Sequence, residues 1–217
     1  MSLVAKYKLI SNSNDSLGLN NGTDTAVSYS PATFNGTTSL IDFGNPAAFN
    51  FGSGLFTAIA VFKTSTVVRR TILQKFNYDG VTNEAGFVID VLANGRIRCI
   101  ISTNQTSSCF RDSTITVNDN SFHSVAFVRR TINTIDIYID GTLSNGTVGG
   151  INVSSVSSIS NTFNFKVGYQ SDNGVGGGFS QNWDGQIKNV QLWNEALTQD
   201  QIITALKENS SNFFQFF

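Results

Sequence analysis

The chain has 217 residues, 40% of them hydrophobic and only 13% charged, with a formal net charge of −1. Such a balance can fill the core of one large β domain and excludes a disordered polyelectrolyte. The lack of a basic run excludes nucleic acid as the main partner, and no apolar stretch is long enough for membrane insertion.

The opening, MSLVAKYKLISNSND, has neither the apolar core nor the small-residue cleavage site of a signal peptide. Val4, Lys6 and Lys8 alternate with Leu3, Ala5, Tyr7 and Leu9, which is the period of a strand. Short runs rich in Ile, Val, Phe and Thr then recur: ATFNG, SLIDFG, LFTAIAVFK, RTILQKF, GFVIDVL, GRIRCIIST, FHSVAFVRR, TIDIYIDG, NFKVGYQ and QIKNVQLW. The NG, DG and NGT clusters between them favour the positive φ angles of tight turns. In TIDIYID, Ile135, Ile137 and Ile139 share one face, and Asp136, Tyr138 and Asp140 the other. With no helical segments between strands, this predicts an all-β, two-sheet antiparallel β-sandwich, a jelly roll.

Cys99 and Cys109 flank the turn-prone TNQTSS, so a cross-strand disulfide and two half-buried free thiols are both open. One short C-terminal helix is expected in LTQDQIITALKEN. Thr198 caps it, Gln201 completes a capping box, and Ile202, Ile203 and Leu206 give one apolar stripe. The helix is expected to pack across a sheet end or edge.

Residues 1–211 are read as one domain and 212–217 as a tail carrying Phe213, Phe214, Phe216 and Phe217. Burying four phenylalanines contributes roughly 6–12 kcal/mol. Ordering six residues costs a similar roughly 6–12 kcal/mol. The tail is therefore ordered only where it packs, on its own sandwich or on neighbouring subunits.

In order and spacing, these segments resemble a laminin-G-like domain of the concanavalin A-like lectin and glucanase superfamily, related to pentraxins. YKLISNSNDSLGLNNGT is similar to the opening strand and Asp-Ser-x-Gly loop, and FHSVAFVRR stands where members carry Trp-His-x-Val-Ala. IDIYIDG matches the Tyr-x-Asp-Gly strand end, and WDGQIKNVQLWNEALTQDQI the closing strand and helix start. The resemblance implies that His123 is a packed structural residue. It also suggests calcium, with Asp15 as the candidate ligand and Asp79, Asp172 and Asp184 in support.

A glucanase reading needs paired carboxylates. The Glu-x-Asp-x-x-Glu pattern of that branch is missing around Glu84, Glu195 and Glu208, and Asp136 and Asp140 stand roughly 13 Å apart along one strand. The chain is therefore read as a non-enzyme. A sugar surface needs loop aromatics beside amides or carboxylates. Two places qualify: Tyr78, Asp79 and Asn83 in one loop, and Tyr169, Asp172, Asn173, Asn182 and Trp183 around another. Trp183 also stands where the family carries a core aromatic. The expected role is recognition or adhesion, lectin-like, with glycans or a host-surface protein as partner. The expected setting is the surface of a virion or other large assembly. A secreted or cell-surface carbohydrate-binding module is the second reading, and a glycan hydrolase or lyase the third.

Overall fold

The computed structural model describes residues 2–76, 85–104, 106–170 and 181–208. Among these, the strands are β1 (Leu3–Tyr7), β2 (Thr23–Thr25), β3 (Ala32–Asn35), β4 (Leu40–Asp42), β5 (Phe56–Lys63), β6 (Arg70–Lys75), β7 (Gly86–Val91) and β8 (Arg96–Asn104). They continue with β9 (Ser107–Thr116), β10 (Phe122–Thr131), β11 (Thr134–Ile139), β12 (Thr142–Leu143), β13 (Asn145–Ile151), β14 (Lys166–Val167) and β15 (Asp184–Trp193), followed by helix α1 (Gln199–Lys207). One sheet runs β1-β15-β5-β10-β11-β12, with β3 also on β15, and the other runs β13-β9-β8-β7-β6-β14-β4-β2. This is the antiparallel two-sheet sandwich that the alternation predicts.

Alternate residues of each strand meet between the sheets. Phe56, Ala58, Ala60 and Phe62 of β5, Ile135, Ile137 and Ile139 of β11, and Phe87, Ile89 and Val91 of β7 all join one buried cluster. Cys99 and Cys109 lie in it as free thiols. Of the two alternatives left open, the register selects this one, because Cys99 pairs with Arg111 and Cys109 with Ile101. Burial pushes both thiols above their ordinary pKa.

The helix corrects one expectation. It packs on the outer face of the seven-stranded sheet, where Ile202, Ala205 and Leu197 meet Ile59, Ala126, Val128 and Tyr138. The physical reason lies in FTAIAVFK and SVAFV, which are apolar on both faces and so need cover on both. Thr198 caps the helix with its hydroxyl accepting from Gln201 N–H, and Gln201 Oε1 accepts from Thr198 N–H at 2.7 Å. Asp140 and Gly141 turn β11 into β12 with φ of 52° and 77°. A Cβ on Gly141 would come within 3.0 Å of Ile203, so this turn fits beneath the helix.

Two buried cations tie the end loops together without any carboxylate. The Lys75 ammonium, 1% exposed, donates to Asn45 Oδ1, Asn161 Oδ1 and Phe163 O at 2.8 Å each, and to Asn161 O at 3.2 Å. The Arg129 guanidinium, fully buried, donates to the carbonyls of Gly52, Gly54, Ile132 and Ser157. Both bridge the segment around residues 45–54 to the one around 157–163. Burial lowers the Lys75 pKa to about 8 and the Arg129 pKa to about 10.

For Lys75 the unfolded chain holds the proton more tightly, so stability rises with pH between about 8 and 10.5. Wild type should gain up to about 3 kcal/mol on Lys75→Met across that window, from about 1.4 kcal/mol per pKa unit. Urea denaturation of both proteins at pH 7.5 and 10.5 checks this, and a constant difference between them would refute it.

Candidate functional site

The outer face of the eight-stranded sheet gathers fixed polar groups. Register aligns Thr71, Asp90, Arg98 and Asp112 in one row across β6, β7, β8 and β9. The residues between them, Ile89, Cys99 and Ile97 among others, point into the core, so this row points out. Asp90 is fully buried; its Oδ1 accepts from Thr71 Oγ1 at 2.7 Å and its Oδ2 from Arg69 Nε at 2.9 Å. Arg98 holds Asp112 through two parallel hydrogen bonds of 2.7 and 2.9 Å, and its guanidinium lies 4.0 Å over the Phe110 ring. The hydrogen bond to Asp112, more than burial opposes, raises the Arg98 pKa. Phe110 in turn lies over Gly149, where any Cβ would collide with the ring.

A second row, Asp42, Lys166, Gln74, Val88, Ile100 and Phe110, crosses β4, β14, β6, β7, β8 and β9 on the same face. Gln74 is 1% exposed, yet its Oε1 accepts no hydrogen bond. Gln181 Oε1 is likewise enclosed and unpartnered, beside Thr71, whose N–H donates to the Gln181 carbonyl at 2.9 Å. Buried carbonyl oxygens without protein donors are costly, and the enclosure of these two leaves an internal water as the donor that fits them.

The residues singled out from sequence are distributed as follows. Tyr169 is half-buried, with the Lys166 ammonium 4.8 Å from its ring, and its neighbour Gln170 accepts from Thr71 Oγ1 at 3.2 Å. That places it at the rim of this face. Trp183 is a correction: it is fully buried, edge-on to Phe62 at 5.5 Å, and presents no ring to a ligand. Asn182, 3% exposed, is spent inward, donating to the Thr37 carbonyl. Tyr78, Asp79, Asn83, Asp172 and Asn173, with the tail phenylalanines Phe213, Phe214, Phe216 and Phe217, lie outside the described residues. Arg98, Phe110, Asp90 and Gln74 escaped sequence reasoning. Their one signal is a polar or aromatic residue among apolar neighbours in RTILQK, GFVIDV, RIRCIIS and SCFRD.

Asp15 is built as a turn residue. Its Oδ1 accepts from the N–H groups of Lys6 and Leu17 at 3.0 and 3.1 Å, while Oδ2 is enclosed and unpartnered. Its burial with Tyr7 raises the tyrosine pKa above the ordinary range, through desolvation first and the Asp15 charge second. Calcium needs six to eight oxygens. One free oxygen, with no group of three His, Cys, Asp or Glu among the described residues, does not fit such a centre. Asp184 opens β15 opposite Asn35, remote from Asp15, which bridges to Tyr7.

His123 holds the end of a hairpin. Its Nδ1 is 2.7 Å from Asp140 Oδ2 and its Nε2 is 3.1 Å from Asp119 Oδ1, while Asp140 Oδ1 accepts from Ser124 N–H at 2.7 Å. The ring is 15% exposed.

The sequence pattern described as "Concanavalin A-like lectin/glucanases superfamily" matches residues 35–203. The chain belongs to that superfamily. No curated protein sequence matches it. Among solved structures, this concanavalin A-like chain is similar to the binding domain of Paraclostridial Mosquitocidal Protein 1, with a TM-score of 0.69 and 13% identity over 98% of this chain and 53% of that one. It is similar to the binding domain of Botulinum Neurotoxin DC, solved with SialylT and with rat synaptotagmin II. Both comparisons give a TM-score of 0.67 and 13% identity over 96% of this chain and 52% of that one. A heptameric SAP-like pentraxin from Limulus polyphemus matches at 0.58 and 20% identity, over 80% of this chain and 79% of that one. The chain thus spans about half the length of the toxin binding domains it matches.

As the single histidine in the sequence, His123 gives one isolated imidazole titration. Burial lowers its pKa, but the hydrogen bonds to Asp140 and Asp119 outweigh it and raise the value above 6.5. The clamp therefore stabilises the fold below pH 6.5 and loses that contribution as pH rises through the folded value. Proton NMR should show an apparent pKa above 6.5 that falls in Asp140→Asn. An unshifted titration in wild type would contradict the clamp.

Proposed function

We propose that the chain is a non-enzymatic recognition domain that binds glycans on the outer face of its eight-stranded sheet. The observation that carries this reading is the outward row of polar and aromatic groups there, with the Tyr169 ring half-buried at its rim and the Arg98 guanidinium stacked on Phe110. Such rings and fixed donors match the apolar faces and hydroxyls of a sugar. Asp90 and Asp112 are each committed to a guanidinium, Arg69 and Arg98 respectively. Neither carboxylate is free to exchange a proton with a glycosidic oxygen, which supports binding over hydrolysis. A toxin binding domain of similar fold is solved in complex with SialylT, which supports a glycan as the ligand.

This reading includes display on the exterior of a larger assembly, such as a virus particle, with a host glycan or surface protein as target. Residues 212–217 then serve as the contact to neighbouring subunits. Deleting Asn212 to Phe217 should lower the mass seen in light scattering, and an unchanged monomer would remove the assembly role.

A glycan array, with and without chelator, should return a defined set of glycans. Tyr169→Ala and Arg98→Ala should each weaken binding about tenfold by calorimetry, or about 1.4 kcal/mol. Silence across the array, or binding indifferent to both substitutions, would overturn the sugar-face assignment. Release of reducing ends from any retained glycan would overturn the non-enzymatic one.

A further inference from the structure

The other sheet carries a second polar surface. Helix α1 covers only part of its outer face, the part formed by Ile59, Ala126, Val128, Tyr138 and Trp193. Beyond the helix, register aligns Phe122 of β10, Lys63 of β5, Gln186 of β15 and Thr33 of β3 in one outward row. Their strand neighbours Phe62 and Ile187 point into the core. Phe122 is 40% exposed, a large aromatic ring left open to solvent.

Two ammonium groups stand over that one ring. Lys63 Nζ is 5.9 Å and Lys188 Nζ 4.0 Å from its centroid. Lys188 reaches it because β15 bulges between Ile187 and Asn189. Among the described residues neither ammonium has a carboxylate partner; the nearby pairs engage Lys6, Lys166 and the arginines instead. Beside Lys63 opens a cleft of about 270 Å³ walled by Thr64, Ser65, Asn120, Asp184 and Gln186. Its floor needs Gly185, with φ of 136°, because a Cβ there would meet the Lys63 carbonyl at 2.2 Å. The Asn120 N–H donates to the Thr64 carbonyl at 2.9 Å, and Thr64 Oγ1 to the Asp184 carbonyl at 2.8 Å, so the walls are braced. The volume falls just below the drug-sized range of about 300–1,000 Å³, which suits one small unit and not a long chain.

We propose that this row and cleft form a binding site for an acidic sugar unit, one bearing a carboxylate or sulfate. The negative group pairs with Lys63 and Lys188, which have no carboxylate partner among the described residues. A sugar ring lies against Phe122, whose face is apolar. Gln186, Asn120 and Ser65 satisfy hydroxyls, and the Asp184 carboxylate accepts from one of them. This goes beyond the glycan binding proposed for the opposite sheet and does not depend on it.

The test is calorimetric titration of the intact chain, read as the binding that the Lys63→Ala/Lys188→Ala variant removes, with tri-galacturonate, a sulfated disaccharide, neutral cellotriose, inorganic sulfate and tri-glutamate. One or both acidic sugars should bind, cellotriose should not, and affinity should fall as salt rises from 50 to 300 mM. The Lys63→Ala/Lys188→Ala variant should lose at least tenfold, and Phe122→Ala a similar factor. All three residues are surface side chains, and an unchanged melting temperature confirms folding. Tyr169→Ala should leave this binding intact, which separates the result from the fate of the other sheet. Equal binding of cellotriose, binding of sulfate alone or tri-glutamate as tight as the sugars, or indifference to the lysine pair would overturn the proposal.

Discussion

Everything functional in this molecule rests on phenylalanine packing between the sheets. Phe127 of β10 meets Phe56 at 5.1 Å, Phe56 meets Phe87 of the facing sheet at 4.9 Å, and Phe87 meets Phe165 at 6.2 Å. The chain of rings continues through Phe43 to Tyr7, at 5.5 and 4.1 Å. Rings in tilted and edge contact fill the space between two sheets roughly 10 Å apart, and each pair adds about 0.5–1.5 kcal/mol beyond its burial. This packing fixes which residue of every strand points inward. It therefore fixes which residues point outward, and the outward residues are the ones with chemistry to offer. A one-residue slip in β7 would send Asp90 into the ring stack and Ile89 into solvent.

The loops at one end of the sandwich are secured differently. Lys75 and Arg129 each sit among neutral oxygens, and an ammonium or guanidinium so placed lacks the Coulombic return of a carboxylate. Their hydrogen bonds nevertheless satisfy carbonyls in segments that have no sheet partner, where an orphaned acceptor would also be costly. Each long side chain thus acts as an internal counterpart to a bound ion, supplying directional donors to loop oxygens. A Lys75→Met change removes the charge cost and the donors together, so the pH dependence of stability tells them apart better than a single melting point.

The layer arrangement was legible because alternation reports the core. Ile135, Ile137 and Ile139 face inward as their spacing says, and the Thr198–Gln201 box starts the helix where expected. The placement of that helix was less legible. Alternation is silent in FTAIAVFK, where both faces are apolar, and only the tertiary partner reveals which residues the helix covers. The site was harder still, because aromatic-in-loop reasoning treats a side chain as available wherever a turn is near. Trp183 precedes β15 in a loop-like stretch, yet it is consumed by packing against Phe62. Arg98 and Gln74 sit inside strands and looked structural. What marks them is cross-strand company: Asp112 and Phe110 for Arg98, and an unpaired oxygen for Gln74. No single sequence encodes that pairing without the register.

Two chemically different outer faces on one sandwich have a further consequence. Row spacing along a sheet is about 4.8 Å per strand, close to the width a sugar ring presents, so a row of four strands, about 14 Å from first to last, matches about three residues of a glycan. On the eight-stranded side, opposite charges are already paired to each other: Arg69 with Asp90 and Arg98 with Asp112. Such a face repels neither acidic nor neutral sugars and selects by hydrogen-bond geometry. On the seven-stranded side, Lys63 and Lys188 share one aromatic ring and have no carboxylate partner among the described residues, so selection at the proposed site would be by charge. Ionic strength should therefore discriminate the two: binding governed by pre-paired charges varies little with salt, whereas binding to free ammonium groups weakens as screening lengths contract. A glycan carrying both neutral and acidic units could engage one face of one molecule and the other face of the next. Recognition and cross-linking would then follow from the same packing that holds the sheets together.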